Sequence, residues 1–158
     1  MKSSVQFRLN GRPTALDTDD SRKLLWVLRT DLGLTGAKYG CGACTVLIDG
    51  KPVRSCVTPL SAARDREVTT IEGLERDGAL HPVQQAFLEH GGFQCGYCTP
   101  GMILTAASFL QENPAPSREA ISARLEHNLC RCGAHTRILD AVEAASHTAT
   151  AQAKGGKS

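Results

Sequence analysis

The chain has 158 residues, with 18 Lys and Arg set against 16 Asp and Glu for a net charge of +2, and these charges are scattered along its length. That balance gives neither the concentrated basic face of a nucleic-acid binder nor an acidic tail, so nucleic acid is excluded as a partner. Seven cysteines, an odd number, and only four Phe, two Tyr and one Trp describe a modest aliphatic core helped by a bound metal or cofactor, not a disulfide framework.

Val5, Phe7 and Leu9 alternate with polar residues and run into Asn10-Gly11, a strong hairpin signal, after which Thr14 to Asp17 returns as a second strand. Asp19, Asp20 and Ser21 offer cap oxygens before Leu24, Leu25 and Leu28 at helical spacing, and Gly33 or Gly36 closes that helix; Trp26 is expected in the core. Thr45 to Ile48 and Val53 to Val57 flank the turn Asp49-Gly50, and Val68 to Ile71 supplies a last strand. Residues 1–75 therefore read β-β-α-β-β-β, with Glu72 to Ala79 as a charged linker. Residues 76–147 read as four amphipathic helices: one begun by His81-Pro82, one by Thr99-Pro100, one by Ser117 and carried through Leu129, and one marked by Ile138, Leu139, Val142 and Ala145. Residues 148–158 carry no apolar stripe and are expected to be a disordered tail or a partner-bound extension. The fold class is thus α+β, a β-grasp followed by a small helical bundle. No run approaches the length of a membrane span, and Met1 to Asn10 lacks an apolar signal core; neither membrane insertion nor an export signal of its own is expected.

Chemistry concentrates at the cysteines. Cys95 and Cys98 precede one helix and Cys130 and Cys132 another, so two short loops offer two pairs of thiols. A [2Fe–2S] cluster needs two pairs, one per iron, and pairs close in sequence, Cys95 with Cys98 and Cys130 with Cys132, would satisfy that directly. Helix N-termini beside the loops favour an anionic centre, and Gly96, Gly101 and Gly133 let backbone N–H groups approach sulfur. A structural zinc site is the competing reading, although Cys130-x-Cys132 is tighter than usual zinc spacing. A thioredoxin-like C-x-x-C lacks its βαβ context, and Thr99 after Cys98 rules out the haem motif. Cys41, Cys44 and Cys56 in the first domain match part of the plant-type ferredoxin pattern C-x4-C-x2-C with a distant fourth cysteine; the first cysteine of the pattern is missing. His81, His90, His127, His135 and His147 are scattered and read as surface or helix-end residues, and Asp19, Asp20, Asp65 and Glu67 as caps and solvated charges.

Four stretches carry a resemblance: Leu34-Thr35-Gly36-Ala37-Lys38-Tyr39-Gly40, Cys41-Gly42-Ala43-Cys44-Thr45-Val46, Gln94-Cys95-Gly96-Tyr97-Cys98-Thr99-Pro100-Gly101-Met102 and Asn128-Leu129-Cys130-Arg131-Cys132-Gly133. In this order, from Val5 to Val142, the chain resembles the small iron–sulfur subunit of the xanthine oxidase family of molybdenum hydroxylases. Leu24 to Arg29 and Cys130 to His135 are similar to the isoquinoline, nicotinate and aldehyde dehydrogenase branch. The resemblance implies two [2Fe–2S] clusters, a plant-type one bound by Cys41, Cys44 and Cys56 and one in the bundle bound by Cys95, Cys98, Cys130 and Cys132. It implies a large partner subunit with a molybdopterin cofactor, a hydrogen bond from Gln94 to that pterin, Cys132 on the electron path from it, and onward transfer to an acceptor such as a cytochrome c or a flavin subunit. Substrate chemistry would belong to the partner, in the cytoplasm, or in the periplasm if the partner carried this chain there. The rivals are a zinc-stabilised binding module and a free-standing ferredoxin.

The chain departs from that family at Gly40-Cys41, which runs straight into Gly42-Ala43-Cys44 where the family has a glycine-containing insert; about five residues, one a cysteine ligand, are gone. A non-cysteine ligand, an absent cluster, or residues omitted between Gly40 and Cys41 would each account for this. Omission is the expected case, and an intact peptide bond there argues against it.

Overall fold

The computed structural model describes the backbone of residues 2–155 and the side chains of residues 3–148. Strands β1 (Lys2–Leu9) and β2 (Arg12–Asp19) form a hairpin with Val5 opposite Leu16, and Asn10 and Gly11 at its tip both take the positive φ that such a tight turn requires. Helix α1 (Leu24–Trp26) runs on into a wider π turn, Val27–Asp31. Leu24, Leu25, Val27 and Leu28 are all fully buried beneath the sheet, each worth about 1.5–3 kcal/mol relative to exposure. Trp26 does not join them. It lies on the outer side of the helix, 45% exposed, with its ring stacked on Tyr39 at 6.1 Å. The short α segment and the π turn together spend the inward positions on the four aliphatic residues around it.

β3 (Thr45–Ile48) and β4 (Lys51–Arg54) form a second hairpin about Asp49-Gly50, and β5 (Glu67–Thr69) pairs parallel to β1 and antiparallel to β3. The sheet order is β2-β1-β5-β3-β4, a mixed sheet with α1 across one face, which is the expected β-grasp. Every residue of β3 is buried, and the two faces serve different cores: Val46 and Ile48 pack with α1, whereas Leu47 belongs to the core of the helical half.

The four helices follow in the expected order. α2 (Pro82–Glu89) is capped reciprocally: the Val83 N–H donates to His81 Nδ1 at 3.2 Å and the His81 N–H to Gln84 Oε1 at 2.9 Å. α3 (Thr99–Glu112) is buried nearly all round and packs against both β3 and the other helices, which makes it the centre of the molecule. α4 (Arg118–Leu125) begins at Ser117, whose Oγ accepts the Ala120 N–H at 3.2 Å, and stops four residues before the expected Leu129, so that 126–130 is free to form a loop. α5 (His135–Gly155) does not end near Ser146. The alanine-rich stretch after it contains no Gly or Pro before Gly155, and propensity carries the helix through most of the segment expected to lack structure; 156–158 lie outside the described residues. The 72–79 segment is likewise no loose linker, because Ile71–Gly73 forms a 3-10 turn and Leu74 is buried in the bundle core.

Candidate metal centre

Two loops meet in the helical half. Cys98 is the residue immediately before α3, and it is buried, while Cys95 three residues earlier is exposed. Cys130 is buried and Cys132 exposed in the loop before α5. The contacts cross between loops: the Cys95 thiol meets that of Cys132, and the Cys98 thiol that of Cys130. The expected pairing of sequence neighbours is therefore replaced by an outer, exposed pair and an inner, buried pair. Each C-x-x-C or C-x-C loop turns over the end of its helix, so its two sulfurs point to different depths, and sulfurs of equal depth meet.

Backbone donors are aimed at these sulfurs. The Ala134 N–H donates to Cys130 Sγ at 3.4 Å, joined by the N–H groups of Cys132 and Gly133, and the Tyr97 N–H donates to the Cys95 thiol. Gly96 and Gly133 take φ of +78°, the left-handed conformation that lets the chain fold its N–H groups inward. The Tyr97 N–H lowers the Cys95 pKa. For Cys130, burial raises the pKa, but the Ala134 N–H and its neighbours outweigh it and the net direction is down. Cys98 is pushed up to about 12 by burial and by its bond to Cys130. In each pair one thiol, Cys95 or Cys130, is thus shifted down by backbone donors.

Among the described residues no three His, Cys, Asp or Glu side chains gather around one point as a single ion requires. The two thiol pairs lie near each other, with Cys130 also acting on Cys95 and Cys95 on Cys98, and four thiols in two pairs suit a two-iron centre. The histidines stand apart: His81 caps α2, His90 ends it, His135 begins α5 and His127 sits exposed in the loop after α4. Gln94 is exposed beside Cys95, on the same rim as Cys132.

The N-terminal cysteines are arranged differently. Cys44 Sγ and Cys56 Sγ lie 3.2 Å apart, one buried and one half-buried, whereas Cys41 is exposed and forms no three-ligand set with them. Gly40 and Cys41 lie in one tight turn. The Ala43 N–H donates to the Gly40 carbonyl at 2.9 Å, which closes a four-residue turn through Cys41. This short loop presses on the bundle. The Leu129 N–H donates to the Cys41 carbonyl at 2.9 Å, Asn128 Nδ2 donates to the Gly42 carbonyl at 3.3 Å, and Gly101 lets that carbonyl approach α3 where a Cβ would collide with it.

Several residues that tie the two halves together gave little sign of it in the sequence. The Arg54 guanidinium donates to the His127 carbonyl and, at 3.2 Å, to Thr45 Oγ1; Ser108 Oγ donates to the Gly50 carbonyl at 2.8 Å; Tyr97 Oη donates to the Tyr39 carbonyl at 2.6 Å. Asn128, just before the second cysteine loop, was the one positional hint.

Comparison with known proteins agrees with this geometry. The family described as a [2Fe-2S] binding domain matches residues 70–143. One of the subunits of nicotinate dehydrogenase from Pseudomonas putida is 49% identical over 153 residues, covering 94% of this chain and 98% of that protein. Among solved structures, a chain of quinoline 2-oxidoreductase from Pseudomonas putida 86 superposes with a TM-score of 0.89 at 39% identity over 95% of this chain and 97% of its own. In aldehyde oxidoreductase from Desulfovibrio gigas the same fold, with a TM-score of 0.89 and 41% identity, makes up 17% of one longer chain. No helix among the described residues is long and apolar enough to cross a membrane.

Proposed function

Because the chain belongs to the small iron–sulfur subunits of the xanthine oxidase family of molybdenum hydroxylases, in the branch of the nicotinate, isoquinoline and aldehyde enzymes, we propose that it takes electrons from the molybdopterin of a large partner and passes them through its bundle site to an acceptor. The observation that carries this reading is the crossed set of four thiols, with Cys95, Cys132 and Gln94 together on an exposed rim. When bound there, a [2Fe–2S] cluster accepts and releases one electron at a time. The buried Cys98 and Cys130 and the exposed Cys95 and Cys132 would hold it. The N–H groups of Tyr97 and Ala134 donate to sulfur, which stabilises negative charge and tunes the potential. Gln94 is exposed, suited to hydrogen-bond a pterin edge, and Cys132 beside it would be the ligand nearest an incoming electron. Oxidation of substrate belongs to the partner.

The longer aldehyde oxidoreductase supports the partner assignment, since the matched fold there is continuous with further chain that this protein would meet as a separate subunit. A cytochrome c or a flavin subunit is the acceptor we favour. The test uses the complex copurified with its molybdenum subunit. Cys132→Ser is expected to leave substrate binding intact and abolish transfer to the acceptor; full turnover in that variant removes Cys132 from the path, and a colourless native protein with stoichiometric zinc ends the electron-transfer reading.

A further inference from the structure

Resting on the bundle as a [2Fe–2S] site, we propose that the N-terminal domain of this chain holds no second cluster and that the protein is a single-cluster carrier. A plant-type site sets four thiolates at C-x4-C-x2-C and a distant cysteine, two to each iron. Cys44 and Cys56, with sulfurs 3.2 Å apart, are placed as the pair for one iron. Only Cys41 remains for the other, and it stands exposed, with the remaining four of the seven cysteines all in the bundle.

Among the described residues no neighbouring side chain substitutes for the missing thiolate. Ser55 Oγ donates to the Cys44 carbonyl at 2.6 Å, Thr45 Oγ1 to the Gly42 carbonyl at 2.8 Å, and Thr58 Oγ1 to the Arg54 carbonyl at 2.8 Å. Each hydroxyl is committed to the backbone. The charged groups at hand, Lys38 and Arg54, are cations and ligate nothing while protonated. Four amides beside the cysteines are committed to the backbone: the N–H groups of Lys38, Ala43, Thr45 and Ser55 donate to the carbonyls of Ala43, Gly40, Gly42 and Cys44. The turn cannot swell inward either, for a Cβ on Gly42 would stand 2.8 Å from Asn128 Cα, and the Gly42 carbonyl is already against α3. The loop is thus pinned against the bundle on that side.

Iron, acid-labile sulfide and the EPR spectrum of the dithionite-reduced full-length protein, purified with its partner subunit, decide the question. The expected result is about two irons and two sulfides per chain and one [2Fe–2S] signal. Cys44→Ser is expected to change neither the iron content nor the signal. Inserting five residues after Cys41, the last a cysteine, restores the C-x4-C-x2-C spacing and is expected to raise iron to about four per chain and add a second signal. About four irons and two signals in the unaltered chain, or loss of half the iron in Cys44→Ser, overturns the proposal while leaving the electron-transfer reading standing. An iron-free native complex overturns both.

Discussion

In the helical half each cysteine loop faces another, and each sulfur has a counterpart at its own depth; in the sheet half one loop faces a single distant cysteine and leaves Cys41 without a counterpart. The backbone follows the same division. Around the bundle thiols the N–H groups of Tyr97, Gly133 and Ala134 turn to sulfur, whereas the N–H groups of Ala43, Thr45 and Ser55 donate to carbonyls. The number of cysteines alone thus does not decide which kind of loop a sequence makes; the direction of the neighbouring amides differs between the two.

The largest expected effect comes from breaking the inner pair. Cys98→Ser removes a buried ligand, and since cluster binding stabilises the fold that holds it, the helical half should lose roughly 3 kcal/mol or more, on the order of 10 °C in Tm, together with its visible absorption. Circular dichroism on heating should show the sheet half still folded; an unchanged visible spectrum would place the cluster elsewhere. A smaller effect is expected where the two halves touch. Gly101→Ala sets a Cβ against the Gly42 carbonyl and should cost about 1–3 kcal/mol in thermal denaturation, with iron per folded chain unchanged. A loss of iron in this variant would mean that the short Cys41 loop supports the bundle site and is no mere remnant. The smallest is Tyr97→Phe, which deletes the hydroxyl bond to the Tyr39 carbonyl and should cost about 0.5–1 kcal/mol without altering the EPR signal, because the Tyr97 contribution to Cys95 comes from its backbone N–H. A shifted signal would mean that the ring itself shapes the rim.

Much of this was legible in the chain. Asn10-Gly11 and Asp49-Gly50 announced their hairpins because positive φ is a local requirement, and Pro82, Thr99-Pro100 and Ser117 announced their helices because caps are local too. The bundle cysteines were visible as two pairs but not as crossed pairs, since depth within a site depends on how two loops stand to each other in space. Trp26 was misplaced because a π turn shifts which residues face inward, and hydrophobicity does not register that. The extension of α5 was missed because an apolar stripe was sought where alanine propensity was acting. Arg54 and Ser108 were silent, as their partners are carbonyls from the other half of the chain.

Strand β3 carries a mechanical consequence. With Val46 and Ile48 committed to one core and Leu47 to the other, a swing of either half about the 72–79 segment would draw a leucine into water, at a cost of about 1.5–3 kcal/mol before any hydrogen bond is counted. The protein therefore behaves as a splint. Whatever docks at the Gln94 rim and whatever docks elsewhere on the surface are held at a set separation, and electron delivery is governed by the approach of those partners, with no internal hinge to shorten the gap.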